Sequence, residues 1–124
     1  MTGFLSARWI RLLALAVTLL FAAFIGMYSI LPAEEGPGLF LFSIEVSDKV
    51  QHFIAYMALT GPLSVALGPR RTVQAIAIAA GYGLCLELAQ MLGTDDREGS
   101  LLDALANLGG ATLGAIIVRV LRGN

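Results

Sequence analysis

The stretch TVQAIAIAAGYGLCLELAQML, Thr72–Leu92, decides the fold. It is apolar almost throughout, and its one charged residue is Glu87. A helix rises 1.5 Å per residue, so a run of this length crosses a hydrocarbon core of about 30 Å. Three more runs of the same kind lie around it, at Trp9–Leu31, Lys49–Leu67 and Leu101–Leu121. The segments between them carry PAEEGPG (32–38), GPRR (68–71) and GTDDREGS (93–100), whose glycines and prolines are helix stops. There is no internal repeat. The chain therefore reads as an all-α polytopic membrane protein, one domain over residues 1–124, with four transmembrane helices.

Composition points the same way. Hydrophobic residues make up 57% of the 124 and charged residues 14%, against about 25% charged in soluble domains. A net charge of −1 excludes a strongly basic nucleic-acid binder. The single cysteine, Cys85, allows neither a disulfide framework nor a cysteine-based zinc site. Lying in an apolar run, it reads as a small buried hydrophobe. Arg8 and Arg11 flank the first span much as basic residues flank a signal peptide, but its apolar run exceeds the roughly 7–15 residues of such a segment. It reads as a retained signal anchor.

Charge sidedness gives a direction. With four spans, Arg8, Arg11, Arg70, Arg71, Arg119 and Arg122 share one side, and the acidic loops share the other. Under the positive-inside rule both termini are expected in the cytoplasm.

The polar residues inside the spans fall on helix faces. Asp48, His52 and Tyr56 recur every four residues; Gly83, Glu87 and Gln90 follow at four and three; Asp103, Asn107, Gly110 and Gly114 line up on the last span. Glu87 is roughly 8 Å below the end of its span, and His52 and Asn107 lie at similar or shallower depth. Lipid offers such groups no partners, so they are expected to turn toward one another or a small wet cavity. The inner halves of the spans read as nearly devoid of polar groups. Gly110 and Gly114 form a GxxxG that suits packing within the bundle more than dimerisation, and Gly81 and Gly83 offer a similar close approach.

Each polar residue has two readings. His52, the one histidine, suits a general base, or it locks helices through Asp48 or Glu87. Glu87 can orient that histidine, act as acid, or sit neutral and hydrogen-bonded. Asp103 is either a third catalytic group or a favourable charge near a helix N-terminus. Asn107 is a ligand contact or an interhelical clip. Gln90 and Asp48 share the polar faces, and Tyr56 is a cavity hydroxyl or core packing. Lys49 either snorkels to water or binds a lipid phosphate. Arg97 is either paired with its acidic neighbours or shaped for a phosphate. His52, Glu87 and Asp103 resemble a facial triad, but they come from three helices without diagnostic spacing, and neither metal nor cofactor is expected. Leu39–Ile44 is too short to span and reads as an interfacial short helix or dipping segment, either an anchor or a lid over the polar level.

The order DKVQHFIAY (48–56), then Glu87 and Gln90, then Arg97, Asp103 and Asn107 before Gly110 resembles the VanZ-like proteins. These are small bacterial membrane proteins named for a member linked to resistance to the glycopeptide teicoplanin. The resemblance covers about residues 48–114. It implies that Asp48, Lys49, His52, Tyr56, Glu87, Gln90, Arg97, Asp103 and Asn107 are motif positions. It also implies a bacterial cell-envelope connection, with no established reaction. One departure is that Asp95 and Asp96 precede Arg97, where many relatives carry proline or glycine.

Three functions stay open. The first is binding of an anionic lipid-linked headgroup, such as a cell-wall precursor, by Lys49 and Arg97 with Asp48, Gln90, Asn107 and Tyr56. The second is an intramembrane enzyme using His52, Glu87 and Asp103. The third is a small proton-coupled permease or an assembly partner. The partners expected are membrane lipids and no nucleic acid.

Overall fold

The computed structural model describes the backbone of residues 2–30, 40–41, 44–45, 48–93 and 101–122, and the side chains of 7–29, 49–92 and 102–122. Four long helices account for nearly all of this: α1 (Thr2–Ile30), α2 (Asp48–Leu67), α3 (Thr72–Gly93) and α4 (Leu101–Leu121). Each contains a window long and apolar enough to cross a membrane: Ala7–Ser29, Lys49–Leu67, Pro69–Leu92 and Leu102–Leu121. The expected spans match these to within a few residues, except that α1 starts a turn or more earlier. The Leu39–Ile44 segment is not a short helix where it is described. Its backbone pairs as two antiparallel two-residue strands, β1 (Phe40–Leu41) and β2 (Ile44–Glu45), with Phe40 opposite Glu45 and Leu41 opposite Ile44. The side chains that would make it a lid lie outside the described residues.

The GPRR turn forms as expected. Gly68 sits at φ +102°, a conformation that a side chain strains, and Pro69–Arg71 make one 3₁₀ turn into α3. A β-carbon on Gly68 would also press on the Arg11 guanidinium, 2.5 Å from Nη2.

α2 is the hub, packing most extensively on α4 and also on α1 and α3. Its seam with α4 runs in parallel register. Gly110 meets Phe53, Gly114 meets Met57 and Gly61 meets Val118, while Arg122 Nη1 donates to the Val65 carbonyl. The same offset of 57 residues holds at every turn. A contact line of period four on both helices is ridge-into-groove packing along the i±4 rows. Small residues make it possible, because the glycines let backbone meet backbone; Ala111 and Ala115, next to them in sequence, are fully buried. The GxxxG thus packs within the bundle, as expected.

α3 presents a second small-residue face, with Ala75 and Ala79 fully buried and Gly83 against the Tyr56 ring and the Asn107 amide. Gly81 plays no such part, because a β-carbon added there would meet nothing within 4 Å. α1 joins through Thr18, Ile25, Gly26 and Ser29, buried on one face at helical spacing. The Tyr82 hydroxyl donates to the Ala22 carbonyl, and Gly26 leaves room for it. Outside these faces the helices are apolar and exposed, as in Leu20, Val73, Leu92 and Leu121, which is the surface a bilayer covers. Cys85 belongs to that outer surface. It is exposed rather than buried in the bundle, because it lies two residues from both Gly83 and Glu87, about 200° around the helix.

Candidate functional site

The start of α2, the end of α3 and the start of α4 lie at one end of the bundle, and each brings its polar face inward. Glu87, Gln90, Asp103, Asn107 and Tyr56 are all buried, at 5%, 7%, 6%, 2% and 2% exposure. His52 is mostly covered and Lys49 half exposed, with side-chain exposures of 19% and 47%. Seven of the nine expected residues lie in this layer, six of them on the faces that sequence spacing defines and Lys49 at its edge. The side chain of Asp48 and all of Arg97 lie outside the described residues.

Asp103 is the electrostatic centre. Lys49 Nζ is 2.6 Å from its Oδ1, and His52 Nε2 is 3.8 Å from its Oδ2. His52 Nδ1 is 2.8 Å from Asn107 Oδ1. An amide oxygen only accepts, so Nδ1 carries the proton and Nε2 turns toward the carboxylates. The donor atoms of His52, Glu87 and Asp103 all lie within 4.8 Å of one another. Three helices thus hold an imidazole between two buried carboxylates, with a lysine at the rim.

This arrangement can hold a proton, accept hydroxyl hydrogens, or bind a small cation. Metal bonds of about 2.0–2.2 Å would require the three donors to close further. The Lys49 ammonium already supplies a positive charge at Asp103.

Two expected ligand residues serve the bundle as well. Gln90 Nε2 donates to the Ser29 carbonyl of α1 at 3.0 Å, and the Tyr56 ring is part of the hydrophobic core. Sequence reasoning missed the contribution of α1. Ser29 receives Gln90, and the Tyr28 hydroxyl reaches Gln51 Oε1 at 3.5 Å. The signal was the YS pair (28–29) near the end of a span whose other polar residues, Arg11 and Thr18, lie in its first half.

The C-terminal half of α2 corrects the expectation of spans nearly devoid of polar groups there, since the face of His52 and Tyr56 continues through Thr60 and Ser64, exposed 0% and 4%. The Thr60 hydroxyl donates to the Tyr56 carbonyl. The Ser64 hydroxyl has no hydrogen-bond partner among the described residues. Burying such a group costs about 1–3 kcal/mol. Ser64→Ala is therefore expected to stabilise the bundle by about 1 kcal/mol in a detergent unfolding titration. A comparable loss of stability would mean that the hydroxyl holds a partner such as a water.

Comparison of the chain with protein-family models, with curated proteins and with solved structures finds no match.

Proposed function

We propose that this is a bacterial cytoplasmic-membrane protein of VanZ-like type, with both termini cytoplasmic, that binds an anionic lipid-linked cell-envelope headgroup in the outer leaflet. The observation that carries this reading is a half-exposed lysine standing over a buried layer of carboxylate, imidazole and amide groups. Lys49, with Arg97, supplies positive charge for phosphate. Glu87, Asp103 and Asn107 supply the acceptors that sugar hydroxyls need. The two carboxylates argue against a bare phosphate and for a ligand with hydroxyl donors below its charge. A ligand phosphate would draw the Lys49 ammonium from Asp103, and the headgroup hydroxyls would replace it. Shielding such a headgroup is one route to glycopeptide resistance.

A second reading is supported by the hydrogen bond from His52 to Asn107. It fixes the imidazole tautomer as a general base requires, and so favours an intramembrane enzyme acting on the same headgroup. Proton-coupled transport has less support, because the hydroxyl of Thr60 is committed to its own helix.

The test is native mass spectrometry of protein purified in mild detergent. An isoprenoid-linked sugar phosphate is expected to co-purify with the wild type. Its occupancy should fall at least about tenfold in Lys49→Ala, Arg97→Ala and Glu87→Gln, the scale of one lost charge-assisted hydrogen bond. Equal lipid profiles in all samples would defeat the binding proposal. A headgroup altered on incubation with wild type but not with His52→Ala would establish the enzyme.

A further inference from the structure

The opposite end of the bundle carries a different chemistry. A cavity of about 260 Å³ opens between the start of α3 and the end of α4, lined by Pro69, Arg70, Thr72, Val73 and Arg119. The sequence places six of the eight basic residues at this end of the helices. All nine acidic residues belong to the α1–α2 and α3–α4 connections or to the helix halves adjoining them. Among the described residues, no acidic side chain lies at this end to neutralise Arg70 and Arg119.

The cavity also sits at the right depth. The apolar window of α3 begins at Pro69 and that of α4 ends at Leu121, so both arginines lie where a span meets the headgroup layer. Arg119 is two residues, roughly 3 Å, inside that limit. The positive dipole end of α3 faces the same region. One side of the cavity is oily, since Val73 on its wall is 74% exposed and Val120 beside Arg119 is 68% exposed. A ligand that satisfies both halves has an anionic group and an acyl chain.

We propose that this cavity seats the phosphate of an anionic phospholipid, held between the guanidinium groups of Arg70 and Arg119, with the acyl chain running along Val73. Basic recesses between membrane helices are suited to such headgroups, and guanidinium pairs phosphate in a two-pronged geometry. The site is independent of the polar layer at the other end, and neither reading needs the other.

The experiment uses the full chain in detergent with equal amounts of an anionic phosphatidylglycerol and a zwitterionic phosphatidylcholine, at physiological ionic strength. Bound lipid is counted by native mass spectrometry. The wild type is expected to prefer phosphatidylglycerol by about tenfold or more. The double variant Arg70→Ala/Arg119→Ala should lose that preference, at roughly fivefold per arginine. Arg8→Ala/Arg71→Ala removes the same charge outside the cavity lining and should keep most of the preference. Equal loss in the two double variants would overturn the proposal in favour of diffuse charge attraction, and persistence in Arg70→Ala/Arg119→Ala would overturn it outright. Displacement of the lipid by excess inorganic phosphate would assign the cavity to a soluble anion instead.

Discussion

Gly110→Ala is expected to lower the stability of the bundle by about 3 kcal/mol, the upper end of the usual cost of overpacking. The β-carbon would stand 2.1 Å from the Phe53 carbonyl oxygen and 2.9 Å from its carbon. Those are backbone atoms of a neighbouring helix, so no rotamer change relieves them. α4 must move away from α2 by about 1 Å or more to restore ordinary contact. That displacement carries Asn107 with it and stretches the 2.8 Å contact to His52. Unfolding in a detergent titration measures the loss, and ligand occupancy at the polar layer should fall with it. Gly81→Ala is the matched control. Its β-carbon meets nothing within 4 Å, and trading a helix-interior glycine for alanine stabilises by about 0.5–1 kcal/mol. Two glycine-to-alanine changes should thus shift stability in opposite directions. A loss under 1 kcal/mol at Gly110 would mean that α2 and α4 do not meet backbone to backbone at Phe53.

A double-mutant cycle of Lys49→Met and Asp103→Asn is expected to give a coupling energy of about 1–3 kcal/mol. Exposure decides the magnitude. An exposed pair contributes about 0.2–1 kcal/mol, and breaking a buried one costs about 3–5. Here the carboxylate is 8% exposed and the lysine 47%, with 2.6 Å between them, so the pair falls between these limits. Lys49→Met should cost more than the double variant, because it leaves a buried carboxylate with less positive charge beside it. Asp103→Asn keeps the shape and releases an ammonium that can reach water. Coupling near zero would remove Lys49 from the polar layer and reduce it to an interfacial anchor.

Much of this architecture was legible in the residues. Apolar length gave the spans, because a helix in lipid must satisfy its own backbone and therefore announces itself by composition. The period-four polar faces located the cluster of His52, Glu87, Asp103 and Asn107, because costly groups have few places to go. Helix adjacency was not legible. The parallel contact of α2 with α4 joins residues 57 apart, and its cause, the fit of Gly110 and Gly114 to the backbone at Phe53 and Met57, is a matter of shape. Thr60 and Ser64 escaped notice because hydroxyl residues hardly lower the hydropathy of a span, although their spacing from Tyr56 was in plain view. Cys85 was misplaced because an apolar neighbourhood does not distinguish the inside of a membrane bundle from its lipid-facing side.

The central position of α2 also bears on how the protein is made. Its apolar window has the lowest mean hydropathy of the four, 1.3 against 2.3, 1.6 and 1.7, since it carries the buried polar stripe that the others cover. Its main partner, α4, leaves the ribosome after the other three helices. At about 5–20 residues per second, the 34 residues from Leu67 to Leu101 delay even the start of that partner by a few seconds. During this interval the second span is weakly held and its polar face uncovered. Nascent chains halted before Leu101 are thus the form most exposed to membrane quality-control proteases.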